Sequence, residues 1–284
     1  MIRKLLIQIL VAVSLSLFAL YRLDGFEEEA LYAKVYLQKK SSPLPEDLLP
    51  ILSQTFSYLG SGRQCLAFVS TDGKWVLKFI NQKRFSLPKW IDSFPLPFFL
   101  REKIEKKGKK RKERILAFYK SYQIAYDRLK QDTAIHYLHL DNACVGKVLL
   151  IDPAKRKIEI DLAGSWFILQ EKLDPFYPFL ERADKEKWQE SISSFLELVA
   201  RRASMGVVDD DLNVEGNIGL KKEKAYLLDP GRLFFDEKVK QSPYFEEEMR
   251  KSVKFLRRWI EKNQKKYLPL FEEALDKHLK GHSR

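Results

Sequence analysis

Between Tyr58 and Ile80 the chain reads YLGSGRQCLAFVSTDGKWVLKFI, and this run restricts the fold more than any other stretch. Its β-branched and aromatic residues come in short groups bounded by turn formers, the pattern of strands rather than of a helix. A glycine turn at 60–62 and an Asp72-Gly73 hairpin divide it into three strands, the second near Cys65–Ser70 and the third at Trp75–Ile80.

Downstream the period changes. Apolar or aromatic residues at 115, 118, 119, 122, 126 and 129 share one face of a helix over 113–131. Two or three strands are expected, from 134–140, 145–151 and 158–162 and ending at 166–170, before a break at Pro175 and Pro178. Asp184 suits the cap of a helix over 185–205, with apolar positions 188, 192, 195, 196 and 199 and a stop at Gly206. A short strand at 225–228 and helices at 244–261 and 266–280 complete the chain. Residues 27–58 hold a helical stretch broken by Ser-Ser-Pro-Leu-Pro, and 81–100 read as a proline- and aromatic-rich loop. Strands gathered early and helices late predict an α+β body in two lobes. The expected divisions are 1–24 as an anchor or signal segment, 25–57 as a helical linker, 58–172 as the first lobe and 173–284 as a small, mostly helical second lobe.

At 284 residues a core needs no cross-links, and two cysteines outside any Cys-x-x-Cys pattern exclude a disulfide scaffold. Cys65 and Cys144 are read as free thiols. The net charge of +12 favours anionic partners. Residues 5–21 carry no charge and follow Arg3 and Lys4, so they read as an N-terminal apolar helix anchoring the chain in a membrane. A cleaved signal or a buried helix are the alternatives. Basic residues flank the run on both sides, at Arg3 and Lys4 and again at Lys34, Lys39 and Lys40, so charge leaves its orientation open. The run 101–114 holds nine basic and three acidic residues; it is either a solvated linker or helix start, or a patch for anionic lipid. His136 and His139 are read as packing residues, and Trp75, Trp90, Trp166 and Trp188 as core, so no nucleic-acid partner is expected.

Four elements carry chemistry. Gly60 and Gly62 let backbone N–H groups approach a phosphate. Lys78 interrupts an apolar strand, and a lysine there needs an exposed face or an acidic or phosphate partner. The stretch 209–217, DDDLNVEGN, offers the hard oxygen donors that Mg²⁺ accepts, although it also suits a solvated loop. Asp229 ends a short apolar strand before Pro230-Gly231, where a turn starter is the simpler reading.

In this order, over roughly 58–235, the elements resemble the protein-kinase-like superfamily, and DLNVEGNIGL is similar to the catalytic loop of small-molecule and sugar kinases. The likeness extends to lipopolysaccharide-kinase-like proteins and to kinase-like proteins of intracellular bacteria. It implies a bilobal kinase-like fold using ATP and Mg²⁺. By resemblance Gly60, Gly62 and Lys78 hold the phosphates, with Glu113 as partner of Lys78, and 170–174 form a hinge. Asp211 is the catalytic base, with Asp209 as its rival, and Asn217 and Asp229 are the metal ligands. Cys65 replaces the third loop glycine, the Asp211-to-Asn217 spacing is one residue long, and Pro230 replaces the usual phenylalanine. Only 53 residues follow Gly231, which disfavours a peptide substrate. The expected function is a membrane-tethered ATP-dependent phosphotransferase acting on a hydroxyl of a glycolipid, sugar or small metabolite, its body cytoplasmic if active. The alternative is an inactive kinase-like module that binds nucleotide or protein.

Overall fold

The computed structural model describes residues 7–14, 26, 28–32, 43–62, 64–81, 98–141, 143 and 145–282. The chain is α+β and divides into two compact units, Met1–Ile115 with His136–Lys172 and Leu116–Ile135 with Leu173–Arg284.

The first unit is built on a seven-stranded sheet. Its strands are β1 (Thr55–Ser61), β2 (Cys65–Ser70), β3 (Trp75–Ile80), β4 (Ile135–His139), β5 (Lys147–Ile151), β6 (Lys157–Asp161) and β7 (Phe167–Glu171), in the order β4-β7-β3-β2-β1-β5-β6. The expected meander β1-β2-β3 is antiparallel throughout, and Gly73 takes the positive φ (70°) that its turn needs. The β5–β6 hairpin joins β1 in parallel, Phe56 facing Leu150. Alternation along β3 sends Leu77 and Phe79 into a core shared with Phe56, Phe68, Leu150 and Phe167. Phe26, Leu31, Leu48 and Leu52 belong to that core too, so parts of the segment 25–57 pack into this unit. A short helix α2 (Leu49–Leu52) lies within that segment.

Of the apolar run 5–21, residues 7–14 form a helical stretch, α1, with Ile7, Ile9, Leu10, Val11 and Val13 exposed. The rest of the run lies outside the described residues, and among the described residues no helix is long and apolar enough to cross a membrane. Most of the loop expected at 81–100, including Trp90, also lies outside them, as does Cys144. The helix expected from 113 starts much earlier: α3 is a single 31-residue helix, Phe98–Arg128. Its basic run 101–114 is therefore helical and almost wholly exposed, with only Ile104, Gly108 and Arg111 half-buried.

The second unit holds the remaining helices, α4 (Phe176–Arg182), α5 (Lys185–Ser204), α6 (Tyr244–Asn263) and α7 (Leu268–His282). The Asp184 carboxylate accepts the Lys187 N–H at 2.9 Å and caps α5, and Gly206 follows its end at φ 73°. A Cβ at Gly206 would lie 2.7 Å from Lys240 Cε, the end of a flexible side chain that can move aside, so it is the positive φ that favours glycine here. Pro175 and Pro178, read as a break, instead bracket the start of α4. A proline in the first helical turn loses no bond, because its N–H would have had no partner there. Along α6, Phe245, Met249, Val253, Leu256 and Ile260 repeat every three or four residues and are buried, which fixes the face α6 turns inward. Trp188 is fully buried, and its indole N–H donates to Gln264 at 2.6 Å. Short strands complete the unit: β8 (Asp174–Pro175), β10 (Ile218–Lys221) and β11 (Lys224–Leu227) in one sheet, β9 (Val207–Asp209) and β12 (Leu233–Phe235) in another.

Candidate active site

The acidic stretch 209–217 begins where β9 ends. β9 pairs antiparallel with β12, Asp209 opposite Leu233, and the Asp210 N–H donates to the Arg232 carbonyl at 3.3 Å. Further along, the Leu228 N–H donates to the Asn217 carbonyl at 2.7 Å. These backbone bonds carry Asp211, Asn217 and Asp229 into one neighbourhood of the second unit, although they lie on separate stretches of chain.

The loop is built by its own side chains. Asp209 accepts the N–H of Asp211 at 2.9 Å, Asp211 that of Asn213 at 3.3 Å, and Asn213 that of Glu215 at 3.2 Å. Each is a side chain bonding the backbone two residues on, which explains the alternation of Asp and Asn at 209, 211 and 213 without any ligand. Gly216 then takes φ 81°, a turn conformation that side chains resist.

Asp209 and Asp211 differ in environment. Asp209 is buried; its carboxylate lies 3.4 Å from Arg202, whose guanidinium also donates to Glu248 at 2.9 Å and Ser252 at 2.8 Å. Burial raises the Asp209 carboxyl to about 6; Arg202 and the Asp211 N–H pull it down, and the charges of Asp211 and Asp229 add to the rise. The Asp211 side chain is 38% exposed, with Oδ2 3.8 Å from Arg232 Nε, so of the two it is the one open to an acceptor.

Asp229 is held from α3. The buried Tyr122 hydroxyl donates to Asp229 Oδ1 at 3.0 Å. Its neighbour Ser121, also fully buried, donates to the Pro230 carbonyl and accepts the Leu233 N–H at 2.6 Å. In the sequence Tyr122 reads only as part of an apolar face, and Ser121 carries no signal. The available signal was a tyrosine in that face, because a buried phenol needs a hydrogen-bond partner.

Mg²⁺ fits part of this donor set. Among the described residues the buried Asn217 Nδ2 has no partner, and the opposite assignment of that amide would present its carbonyl oxygen at the same place. The backbone bond from the Leu228 N–H to the Asn217 carbonyl brings Asn217 near the residue before Asp229, and an amide oxygen with the Asp229 carboxylate would offer Mg²⁺ two hard donors, its shell completed by water and phosphate oxygens. Among the described residues no group of three or more His, Cys, Asp or Glu could hold a metal unaided. A cavity of about 20 Å³, room for about one water, is lined by Asp209, Asp211, Asn213 and Asn217 among others. A far larger groove of ≈ 670 Å³ runs between α5 and α7, lined by residues such as Ile192, Arg201, Leu270 and Ala274, but none of the acidic loop lines it.

In the first unit, Lys78 is half-buried in β3, between Ala67 of β2 and Ile168 of β7, on the face opposite Leu77 and Phe79. Gly60 follows a bulge in β1, and the Gly62 N–H donates to the Cys65 carbonyl at 2.9 Å. Neither glycine has a positive φ, and among the described residues a Cβ would meet nothing within 4 Å at Gly60 and only Cys65 O, at 3.8 Å, at Gly62. Packing against the described residues does not require glycine at either position. Glu113 is exposed on α3. His139 is buried, burial lowers its pKa, and it stacks on Phe167 at 4.9 Å, which suits packing. His136 is exposed but meets Trp75 edge-on at 4.8 Å.

No family model matches the chain, and no curated protein matches it. Among solved structures, WbdD with a kinase inhibitor is similar at 15% identity and a TM-score of 0.37, over 78% of this chain and 45% of that one. Another structure, described as the bifunctional kinase-methyltransferase WbdD, is similar at 13% identity and a TM-score of 0.35, over 87% and 47%. The chain spans less than half the length of these proteins. At such TM-scores the likeness carries no argument, and the functional reading rests on the residues.

Proposed function

We propose that the chain is an ATP-dependent phosphotransferase acting on a hydroxyl of a non-peptide acceptor: a glycolipid, a sugar or a small metabolite. One observation carries the reading: backbone pairing in the second unit gathers Asp211, Asn217 and Asp229, the three positions that the motif order named. Phosphoryl transfer asks for position and charge neutralisation more than for covalent chemistry, and these residues supply the means. Asp211, half-exposed, accepts and orients the acceptor hydroxyl. Asp209 is committed to Arg202 and the Asp211 N–H, so it shapes the loop instead. Asp229 and Asn217 hold Mg²⁺, which neutralises phosphate charge when bound. Lys78, with the backbone at Gly60 and Gly62, holds the phosphates. Residues 5–21 tether the protein to a membrane and the basic half of α3 rests on anionic lipid; the body is cytoplasmic, where ATP is present.

An inactive module that binds nucleotide or protein is the second reading, favoured by the exposed Glu113 and by Cys65 in place of a glycine. Thermal unfolding with Mg-ATP and phosphate transfer to lipid, sugar and protein acceptors separate the two. A stability shift with transfer supports the enzyme, a shift without transfer the inactive nucleotide-binding module, and no shift refutes the enzyme and leaves only a protein-binding module.

A further inference from the structure

The geometry points to Tyr122 as a positioning residue for a divalent cation, one that fixes the Asp229 carboxylate; this deepens the proposed function and rests on its assignment of Asp229 to metal. Tyr122 is 1% exposed, and its ring packs against Phe118 at 4.6 Å, so the phenol has little freedom to turn. Its hydroxyl meets Asp229 Oδ1 at 3.0 Å and, as donor to a carboxylate, occupies that oxygen. Among the described residues nothing bonds Oδ2, which makes it the oxygen that the arrangement presents.

The backbone beneath Asp229 is fixed from the same turn of α3. Ser121 bridges the Pro230 carbonyl and the Leu233 N–H, one residue and four residues beyond the acid. Adjacent side chains of one helix thus set both the path of the chain at Asp229 and the rotation of its carboxyl group. Partners behind a metal ligand orient it, and losing one costs about 10–100-fold in metal affinity. A tyrosine that only filled space would tolerate phenylalanine at no such cost, because the two rings have the same shape.

The test is a Mn²⁺ titration of the full chain with ADP, followed by electron paramagnetic resonance of free Mn²⁺. Unfolding midpoints without metal accompany it. Asp229→Asn is expected to abolish the site, and Tyr122→Phe to weaken it about 10–100-fold without a matching loss of apo stability. Tyr122→4-aminophenylalanine, which keeps a ring and a donor, is expected to stay near wild type and covers the case in which Tyr122→Phe does not fold. Wild-type Mn²⁺ affinity in Tyr122→Phe, with Asp229→Asn inactive in binding, overturns the role of Tyr122 and leaves the metal site standing. Loss of affinity in the 4-aminophenylalanine variant overturns it equally. Unchanged binding in Asp229→Asn removes Asp229 from the metal site and takes the proposed function's metal assignment with it.

Discussion

Replacing Asp209 by asparagine isolates what it costs to keep this carboxylate out of water. An asparagine oxygen can still accept the Asp211 N–H, so the turn survives while the charge goes. Burial is the largest influence on Asp209 and lifts its carboxyl from 3.8 to about 6 against the pull of Arg202. The pull loses because the guanidinium, 3.4 Å away, is shared with Glu248 at 2.9 Å, and the attraction does not restore the lost hydration. The native state therefore holds this proton more tightly than the unfolded chain does. The stability contributed by the group is complete below about pH 4 and is lost as pH rises through about 6. A rise of about two units, at about 1.4 kcal/mol each, sets that loss at about 3 kcal/mol. Urea unfolding of wild type and Asp209→Asn at intervals between about pH 4 and pH 7 measures it as the pH dependence of their difference. Wild type should lose about 3 kcal/mol relative to the variant across that window. A flat difference, or one of opposite slope, would falsify the reasoning by showing that Arg202 outweighs burial.

Three further outcomes follow from the site. Lys78→Met and Asp229→Asn should shrink the stabilisation by Mg-ATP, about 2.7 kcal/mol in wild type at a hundredfold excess over Kd. Asp211→Asn should keep that stabilisation and slow transfer by about 10²–10⁴-fold; full transfer in Asp211→Asn, with none in Asp209→Asn, would exchange their roles. Ser121→Ala strands the Pro230 carbonyl and the Leu233 N–H and should cost about 1–3 kcal/mol in urea unfolding; an unchanged midpoint would mean that the bridge contributes nothing. Replacing Lys106, Lys107, Lys109 and Lys110 by neutral residues should lose about 1 kcal/mol per charge in binding to anionic vesicles at low salt. Equal binding by both proteins would leave α3 a solvated helix.

Local chemistry was legible in the sequence, and pairing at a distance was not. The antiparallel order β1-β2-β3, the Asp184 cap and the Gly206 stop each depend on neighbours a few residues away and each stands as read, although Gly60 and Ser61, expected in the first turn, are paired residues of β1. The parallel pairing of β1 with β5 joins segments about 95 residues apart, and no local pattern announces it. Strands β9, β10 and β12 are three or four residues long, too short for a period to show, yet they assemble the acidic site. For 101–114 the sequence leaves linker and helix start both open, because the first half of α3 is charged on nearly every face, which removes the apolar stripe that marks a helix. At the site, residue types pointed to Asp211, Asn217 and Asp229, whereas the roles of Tyr122 and Ser121 depend on what faces α3.

The extra residue between Asp211 and Asn217 need not disable the site, because the loop's ends are fixed independently of its length. At the start, the Asp209 side chain bonds the Asp211 N–H while the β9–β12 pairing holds Asp209 opposite Leu233. At the finish, the Asn217 carbonyl accepts the Leu228 N–H, the residue before Asp229. Between them Gly216, at φ 81°, reverses the chain at little cost, where another residue would be strained. The added length falls in an exposed stretch, at Asn213, Glu215 and Gly216, and leaves both anchors in place. Gly216→Val therefore separates loop shape from loop chemistry. It alters no proposed ligand, yet a β-branched residue at positive φ should displace Asn217 relative to Asp229. Mn²⁺ affinity should fall in this variant while the Asp209 pH dependence persists, since the β9 end of the loop is held separately. If Mn²⁺ binding is unaffected by Gly216→Val, the geometry of the 214–217 turn is not what places Asn217, and its assignment as a ligand loses its structural basis.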